Sequence, residues 1–481
     1  MGKGKKTPSV AFRRPVDVSR CFARPVLPSA INWQSAGDLI VLSQFLVYSL
    51  VCPKGADGGF MTPSSEKPWD DATLIKRGIA FRGESLPVSD QPYEPDPESF
   101  RLLNRSVAAL WRASEAVTEA FVKDQRVRAL FGYGPLQTEC ILKDPGYTPA
   151  IPLGRLDSYL TAEGPVFMEF NTDGTAAWHY TAALTALWRE TAGMAPERLP
   201  LQERLLQILL YCFRKWDCRD VETPRVAIVD WADVGTRPEQ EALADYFTRR
   251  GFPATLEDPR AIRLESGRLL GSEGPIDLIY RRVVSEEAFE RADEIQPFLD
   301  GYLSDAACYV GGFRTDPAWS KTLFVVLSDP AFRNLIPRDV APILDRCIPW
   351  TRRLVRGTTS WRGRDMDLEG LLRSNPEGFV IKPARGYEGR GVCAGALVPF
   401  EGWENALQSG FEAGGHIVQE FVPPVEIRGS DGSTRYQQIG EFVLLGRLAG
   451  LLARTTVTPV IQRGVVETYH PVGLEIPLGG S

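Results

Sequence analysis

The chain has 481 residues, of which 43% are hydrophobic and 24% are charged, and its formal net charge is −6. This length predicts two or three domains rather than one ordinary core. The acidic balance argues against a nucleic-acid or anionic-membrane partner, since such proteins usually carry a basic surplus, and the short Lys3–Lys6 cluster is the one basic run that stands out.

The N-terminal part of the chain is the least informative. Residues 1–98 are rich in proline and glycine and show little periodicity. They contain the longest apolar run, Leu39–Cys52, which is shorter than the roughly 20 residues that a membrane-spanning helix needs. We interpret this run as a buried core helix or strand. Residues 99–131 then place leucines and valines at helical spacing, which predicts one long helix.

The stretch GRLDSYLTAEGPVFMEFNTDG, residues 154–174, predicts a β-hairpin with a three-residue turn at 162–164. Pairing the two strands across this turn places Asp157 opposite Glu169 and Arg155 opposite Asn171. Because strand side chains alternate between the two faces of a sheet, all four side chains are expected on one face.

The hairpin carries the composition of a magnesium site. The carboxylates of Asp157 and Glu169 would repel each other on a bare sheet. Magnesium prefers carboxylate and amide oxygens, and it completes its octahedron with water and phosphate oxygens. The pattern therefore predicts Mg²⁺ on Asp157, Glu169 and Asn171, with a phosphate-bearing ligand that Arg155 contacts. The alternative is a solvated strand face on which Arg155 and Asp157 form a surface pair.

The middle of the chain changes from helices to a β-α-β pattern. Two helical segments, TAAWHYTAALTALWRETAG and LQERLLQILLYCFRKW, follow the hairpin. Short apolar strands at Arg225–Trp231, FPATLED and IDLIYRRVV then alternate with an amphipathic helix at Glu239–Arg250 and a hairpin turn at Ser266–Gly267. This alternation predicts a small Rossmann-like unit, about 225–300, with a mainly parallel sheet.

The C-terminal part contains further strands and two lysines. Residues 317–350 have a helical pattern, and Lys321 opens an apolar helix there; taken alone, this lysine is expected in solvent. The segment HIVQEFVPP predicts a strand closed by Pro423–Pro424, and residues 436–476 contain more strands.

A glycine-rich loop follows Lys382, which stands at the end of the apolar strand GFVIKP. Gly386, Gly389 and Gly391 lie within the next nine residues. Glycines let backbone N–H groups approach phosphate oxygens, and a lysine adds a point charge to the same oxygens. The lysine precedes the glycines, so this is not a P-loop. On its own, such a loop is as often a plain turn.

In combination, these motifs resemble the circularly permuted ATP-grasp ligases, typified by the synthetase half of glutathionylspermidine synthetase. That family carries R-x-D and, a short distance on, E-x-N. The present sequence has Arg155-x-Asp157 and Glu169-x-Asn171 at matching spacing. Ordinary ATP-grasp chains place the nucleotide lysines first and the metal carboxylates last, and the reverse order here implies the permutation.

The resemblance continues toward the C-terminus and covers about 150–460. The helix-opening lysine of the family matches Lys321, the KP segment matches KPARGYEG at Lys382, and the QE strand matches VQEFV at Gln419–Val422. There are departures. The amidase half is absent, Tyr387 stands where the family has an arginine, and the longer distance from Lys321 to Lys382 implies an insertion.

The resemblance implies an α/β (α+β) ATP-grasp fold, circularly permuted, with a small Rossmann-like domain inserted mid-chain. The implied divisions are an N-terminal segment (1–149), a metal-binding part (150–224), a Rossmann-like substrate-side domain (225–305) and a nucleotide-binding part with the glycine-rich loop (306–481).

The implied activity is an ATP-dependent carboxylate–amine ligase that works through an acyl phosphate and releases ADP and phosphate. Its cofactors would be ATP and one or two Mg²⁺ ions, the metal held by Asp157, Glu169 and Asn171. The residues implied in nucleotide binding are Lys321, Lys382, Gly386, Gly389, Gln419, Glu420 and Val422. The substrates would be a small-molecule or peptide carboxylate and an amine.

Several cations have roles that the sequence leaves open. By the same resemblance, Arg155 would stabilise the oxyanion of the tetrahedral intermediate. Arg454 lies near the phosphates or the substrate carboxylate, or else is a surface arginine at a strand end. Arg281 and Arg282 either bind an acidic substrate or are structural. His179, on an apolar helix, is interpreted as packing.

Two alternatives to a ligase remain from the sequence. One is a phosphotransferase on the same scaffold, with a hydroxyl or a histidine as acceptor. The other is a non-catalytic nucleotide-binding protein. The eight cysteines form no CxxC pair and no zinc spacing, which predicts reduced thiols and a cytoplasmic protein.

Overall fold

The computed structural model describes residues 69–216, 221–387, 389–428, 432–460, 467–474 and 476. The Lys3–Lys6 cluster and the apolar run Leu39–Cys52 lie outside these described residues. The described chain has a mixed α/β fold with several sheets. Among its helices, none is both long enough and apolar enough to cross a membrane.

The α-helices of the described part are α1 (Asp71–Lys76), α2 (Pro97–Lys123), α3 (Gln125–Phe131), α4 (Pro135–Leu142), α5 (Trp178–Thr191), α6 (Leu201–Trp216), α7 (Arg237–Arg249), α8 (Ser285–Glu290), α9 (Gln296–Leu303), α10 (Asp316–Trp319), α11 (Thr322–Ser328), α12 (Ala341–Cys347), α13 (Leu368–Ser374) and α14 (Phe400–Ala413). The strands are β1 (Ala80–Phe81), β2 (Glu84–Ser85), β3 (Leu153–Thr161), β4 (Gly164–Asn171), β5 (Val226–Val229), β6 (Ala254–Glu257), β7 (Arg263–Glu265), β8 (Arg268–Gly271), β9 (Gly274–Ile276), β10 (Leu278–Arg281), β11 (Cys308–Val310), β12 (Thr351–Arg353), β13 (Thr358–Trp361), β14 (Arg364–Asp367), β15 (Phe379–Pro383), β16 (Cys393–Ala394), β17 (His416–Glu420), β18 (Val425–Arg428), β19 (Thr434–Leu444), β20 (Arg447–Thr456) and β21 (Glu467–His470).

The long helix predicted for 99–131 is two helices, α2 and α3. Helix α2 begins at Pro97, where the side chain of Asp96 accepts hydrogen bonds from the first free backbone N–H groups. Asp124 then adopts an extended backbone, with φ −122° and ψ 116°, and its side chain caps α3 by accepting from the Arg126 amide. The prediction of one helix was wrong because Asp124 prefers the capping position to a helix interior.

The largest sheet has the strand order β21-β20-β19-β3-β4, with β18 also pairing with β19. All these pairs are antiparallel. The face that carries Leu156, Phe167 and Phe170 is buried in the same apolar core as the middle of α2. Since side chains alternate along β3, Arg155 and Asp157 occupy the opposite face.

The parallel sheet predicted for about 225–300 is present. Its strand order is β11-β10-β5-β6, and all three pairs are parallel. Strands β5 and β10 are buried along their whole length, as expected for strands covered on both faces. The predicted hairpin turn at Ser266–Gly267 also occurs, between β7 and β8.

A third sheet, β12-β17-β15-β16, carries Lys382 on β15 and Gln419 on β17. Its core includes Phe379, Val418 and Trp403 of α14. The residues between Lys321 and Lys382 contain β12, helices α12 and α13, and a separate two-stranded sheet, β13–β14. This hairpin lies in the stretch where the sequence implied an insertion.

Candidate functional site

The hairpin β3–β4 has the residue pairing that the sequence predicted. Arg155 pairs with Asn171, and Asp157 pairs with Glu169. The turn is one residue shorter than predicted, because Gly164 already belongs to β4. A bulge between Asp157 and Ser158 restores the register, so the four polar side chains still share one face.

Asp157 is buried and bound by two arginines. Arg155 donates from Nε to one carboxylate oxygen at 2.8 Å and from Nη2 to the other at 3.2 Å. Arg454 of β20 donates to the second oxygen at 3.1 Å. Burial works to raise the pKa of Asp157, but the two guanidinium charges outweigh it and hold the pKa below its usual value. Arg454 is therefore not a surface residue: it is 7% exposed and belongs to this site.

A glycine on the neighbouring strand makes room for this arrangement. Gly440 of β19 pairs with Asp157. A Cβ atom at Gly440 would lie 2.8 Å from Cδ of Arg155 and 3.1 Å from Oδ1 of Asp157. Any larger residue would displace the ion pair, so the absence of a side chain here is a requirement of the site.

Glu169 links the hairpin to the first lysine. The ammonium group of Lys321 lies 3.3 Å from Oε2 of Glu169, and the Asn171 amide donates to Oε1 at 3.2 Å. Lys321 stands at the N-terminus of α11 and is 7% exposed, so the expectation that it lies in solvent was wrong. Its ammonium group also donates to the carbonyl of Gly386 at 2.9 Å, which joins the glycine-rich loop to the hairpin.

The second lysine, Lys382, lies close to the same carboxylate. Burial of its ammonium group lowers its pKa to about 8; the negative charge of Glu169 opposes this shift, and the positive charge of Lys321 adds to it. Lys382 donates to the side-chain oxygen of Gln419 at 2.7 Å, and Gln419 in turn donates to Thr351 at 3.1 Å. The side chain of Gln419 thus holds a lysine, a role that the sequence did not indicate.

The glycine-rich loop contacts the parallel-sheet unit. Arg385 lies 3.2 Å from the carboxylate of Glu286 on α8, and the hydroxyl of Tyr387 donates to Glu287 on the same helix. Gly389 has a φ of 65°, the left-handed backbone that favours glycine. Among the loop residues predicted to bind a nucleotide, Gly386 contacts Lys321 through its carbonyl, whereas no contact of Gly389 with the other predicted residues is observed in the described chain.

A cavity of about 400 Å³ is lined by residues of β4, α11 and α12 and by residues at and after the end of β17. Glu420 and Val422, both predicted to contact a nucleotide, line it together with Val166 of the hairpin. Helix α11, which begins just after Lys321, contributes Leu327 and Ser328 at its other end. The volume falls in the range of small-molecule sites.

The side chains around the hairpin carry an excess of positive charge. We call this group the hairpin cluster: its cations are Arg155, Lys321, Lys382 and Arg454, and its carboxylates are Asp157, Glu169 and Glu467, the last of which lies 3.3 Å from Arg454. Four cations against three carboxylates leave the group one negative charge short. Such a group is suited to an anion with several oxygens, such as a phosphate.

The donor set also fits a magnesium ion that binds together with phosphate. Asp157, Glu169 and Asn171 provide oxygen ligands of the kind Mg²⁺ prefers, and two carboxylates are as many as it usually takes from a protein. Within the described residues, no group of three or more His, Cys, Asp or Glu side chains could hold a metal ion. The remaining ligands would have to come from water and from the phosphate oxygens.

Arg281 belongs to a second buried group and has no access to a substrate. Its guanidinium group pairs with Asp173 and donates to the carbonyls of Val283 and Gly311. Asp316 lies 3.8 Å away, and the side chains of all three charged residues are fully buried. Burial, together with the charge of Asp173, raises the pKa of Asp316 to about 8, and Arg281 only partly offsets this. We call Arg281, Asp173 and Asp316 the Arg281 cluster.

Arg282 and His179 also have protein partners. Arg282 lies 3.6 Å from Glu239 and donates to the carbonyl of Gly174. The His179 ring contacts the carbonyl of Arg77 at 2.9 Å, and burial lowers its pKa, so it is neutral. Both residues are buried, and the predicted packing role of His179 agrees with its environment.

Comparison with known proteins gives a structural match for the overall fold but identifies no sequence family. No protein-family model matches the chain, and no curated protein matches it in sequence. Among solved structures, it is similar to a glutathione synthetase-like effector from Globodera pallida in its apo form, with a TM-score of 0.55. The match covers 83% of this chain and 94% of the effector at 10% sequence identity. The chain therefore has a glutathione synthetase-like fold.

Proposed function

We propose that the protein is an ATP-dependent carboxylate–amine ligase with an ATP-grasp fold whose motifs are circularly permuted. One observation carries the proposal: Lys321 lies 3.3 Å from Glu169, the residue paired with Asp157 on the hairpin, and the charge of the same carboxylate acts on Lys382 from a separate element. One buried and one half-buried ammonium group beside two carboxylates and an amide would suit a phosphate group with its metal ion.

The geometry supports a nucleotide that spans the site and the cavity. Its phosphates would contact Lys321 and Lys382, and its nucleoside would lie in the cavity lined by Glu420 and Val422. Helix α11 joins the two ends, because Lys321 precedes its first residue and Ser328 is its last. Seven helical residues extend about 10 Å, so the phosphate end and the cavity would be separated by about the length of this helix.

The metal and the arginines would have separate tasks. Asp157, Glu169 and Asn171 would hold Mg²⁺, which supplies charge neutralisation for the phosphate oxygens when bound. To reach the metal, Asp157 has to share its oxygens with Arg155 and Arg454. Arg155 and Arg454 would stabilise negative charge on the reacting groups.

The proposed reaction has two steps. A carboxylate oxygen of the acid attacks the γ-phosphorus of ATP, the bond to the β-phosphate bridging oxygen breaks, and ADP leaves. The amine nitrogen then attacks the acyl carbon, phosphate leaves with the oxygen, and the nitrogen loses a proton. Positioning and charge stabilisation supply most of what such phosphoryl transfer needs, so no protein nucleophile is required.

The domain divisions implied by the sequence are part of this proposal. Residues 150–224 would supply the metal side, 306–481 the nucleotide side, and 225–305 the substrate side. The contacts of Arg385 and Tyr387 with α8 support the last assignment, because they join the glycine-rich loop to the parallel-sheet unit. The substrate carboxylate would enter between Arg385 and Tyr387 on one side and the β3–β4 hairpin on the other.

The experiment that tests the function is an ADP-release assay over pairs of acids and amines. Amino acids and peptides serve as acids, and amino acids and polyamines serve as amines. ADP and phosphate that appear only when both partners are present support the ligase. ADP release with a hydroxyl acceptor and no amide product would instead identify a phosphotransferase. Thermal stabilisation by ATP and Mg²⁺ without turnover over the whole panel would identify a nucleotide-binding protein without this activity.

A further inference from the structure

The β13–β14 hairpin lies between the two lysines in sequence and forms its own two-stranded sheet. Its turn consists of Arg362 and Gly363, with φ values of 50° and 75°. Two consecutive left-handed residues are typical of the tight turn that matches the twist of a two-residue hairpin. Glycine suits such a position better than arginine does. The backbone conformation therefore does not explain the arginine, and its side-chain contacts become the question.

Arg362 lies outside the cavity lining and contacts a carboxylate that belongs to it. Its guanidinium group lies 3.3 Å from the carboxylate of Glu420, which lines the cavity. It also lies 4.4 Å above the ring of Trp361, whose centroid is 5.8 Å from that of Phe379. Phe379 pairs with Glu420 in the third sheet. The arginine thus packs on the Trp361 ring, which in turn packs against Phe379, while its guanidinium group pairs with the Glu420 carboxylate.

The same hairpin also holds the aromatic wall of the cavity. The carbonyl of Ser360 accepts a hydrogen bond from the indole nitrogen of Trp350 at 2.9 Å. Arg352 lies 4.8 Å from the centre of the Trp350 ring. Trp350 and Glu420 both line the cavity of about 400 Å³. One aromatic and one acidic wall residue therefore depend on the hairpin for their orientation.

We propose that the β13–β14 hairpin supports the nucleoside end of this cavity from outside its lining, and that Arg362 is a positioning residue that holds Glu420 for the nucleoside. This inference rests on the proposed function, since it takes the occupant of the cavity to be the base and ribose of ATP. An aromatic ring such as Trp350 offers a stacking surface for a base. The oxygens of Glu420 accept hydrogen bonds from amino or hydroxyl groups.

The test measures three ligands by titration calorimetry on the full chain: adenosine, ATP with Mg²⁺, and inorganic tripolyphosphate with Mg²⁺. The variant is Arg362→Gly, which removes the guanidinium group and suits the left-handed turn. We expect adenosine and ATP to bind about three- to fivefold more weakly to the variant, the size of an exposed ion pair, while tripolyphosphate binding does not change. A purely structural effect would weaken all three ligands.

Two further variants sharpen the result. Arg364→Ala removes an exposed arginine from the same hairpin and should leave all three affinities unchanged. Glu420→Gln should weaken adenosine by a similar factor to Arg362→Gly, and the double variant should show no additional loss, because the arginine acts through the carboxylate.

The outcomes separate this inference from the proposed function. If the wild-type chain binds ATP but Arg362→Gly leaves adenosine binding unchanged, or weakens tripolyphosphate to the same extent, the inference is wrong and the proposed function stands. If the wild-type chain binds tripolyphosphate and ATP equally and does not bind adenosine, the nucleoside is not in the cavity and the inference is also wrong. If it binds neither ATP nor tripolyphosphate, both proposals are overturned.

Discussion

The Arg281 cluster is fully buried and the hairpin cluster is partly buried, and their charge balances are opposite. The Arg281 cluster has one cation for two carboxylates, and the pKa of Asp316 is raised to about 8. The hairpin cluster has four cations for three carboxylates, and the pKa of Lys382 is lowered to about 8. In each case burial is the largest cause of the pKa shift, and a neighbouring like charge adds to it.

The two clusters also differ in solvent exposure, which determines whether a ligand can neutralise their excess charge. The side chains of the Arg281 cluster have no exposure, so the cluster can only retain a proton on a carboxyl group. In the hairpin cluster, the side chain of Glu169 is 31% exposed and that of Arg155 is 13% exposed, so a ligand can reach it. The sealed cluster is therefore expected to affect stability alone, whereas the accessible one is open to a ligand such as the proposed phosphate.

The largest expected effect is on the sealed cluster. Arg281→Met removes its only cation and leaves two buried carboxyl groups without a charged partner. We expect the free energy of unfolding to fall by about 3–5 kcal/mol, the usual loss when one partner of a buried pair is removed. Urea denaturation followed by circular dichroism measures this. Arg263→Met, at an exposed pair with Glu265, is the control and should change stability little. A loss below 1 kcal/mol for Arg281→Met would contradict the structural role of the cluster.

Lys382→Ala should reduce activity without lowering stability, the reverse of the effect expected for Arg281→Met. We expect ADP release to fall by about 10³-fold, because a positioned cation at a transferring phosphate is lost, while the unfolding midpoint stays constant or rises. Glu169→Gln should behave in the same way through the metal. Lys123→Ala, at an exposed pair on α2, should retain the wild-type rate. If either Lys382→Ala or Glu169→Gln keeps the full rate, the phosphate or metal assignment is wrong.

Arg155→Ala should reduce kcat more than ATP affinity. Removing one charge donor to a developing oxyanion reduces kcat by about 10²-fold or more, while both lysines remain to bind the phosphates. Steady-state kinetics together with titration of ATP separates the two quantities. An equal loss in both would show that Arg155 serves the nucleotide alone.

The lowered pKa of Lys382 predicts a pH-dependent affinity for ATP. The ammonium group loses its proton as the pH rises through about 8, and a phosphate ligand would raise the pKa back toward its usual value of 10.5. Affinity for ATP with Mg²⁺ should therefore fall by up to about tenfold per pH unit above pH 8. Calorimetry at several pH values measures this. Lys382→Arg remains charged over this range and should bind with little pH dependence; a wild-type profile as flat as that of Lys382→Arg would contradict the assignment.

The stability of the fold should depend on pH through the ionisation of Asp316. Its pKa is raised in the folded state, so its contribution to stability is fully present below the unfolded pKa of 3.8 and is lost as the pH rises through about 8. Asp316→Asn cannot ionise, so its stability relative to the wild type should increase with pH, by up to about 1.4 kcal/mol per pH unit. The slope of this difference is the measurement. Parallel stability profiles for the two proteins would show that Asp316 is ionised.

The pairing in the hairpin could be predicted from the sequence, whereas its exact path could not. The alternation of polar residues fixed which face Asp157 and Glu169 share. The bulge did leave a signal: Phe167 and Phe170 are both fully buried although they lie three residues apart, which a regular strand does not allow. The shorter turn and the bulge offset each other, so the predicted pairs were correct.

The contacts that assemble the site could not be read from local patterns. The approach of Lys321 and Lys382 to Glu169 joins three different elements, and periodicity says nothing about such contacts. The room provided by Gly440 beside Asp157 likewise depends on which strand pairs with β3. Arg281 was a candidate for substrate binding because an arginine at a strand end gives no sign of the Asp173 carboxylate that encloses it.

The most direct test of the central claim is a crystal structure with Mg²⁺ and a non-hydrolysable ATP analogue. We expect phosphate oxygens within hydrogen-bonding distance of Lys321 and Lys382, the metal on Asp157, Glu169 and Asn171, and the base beside Glu420. A nucleotide bound elsewhere, with Lys321 still on Glu169 and Lys382 still on Gln419, would contradict it.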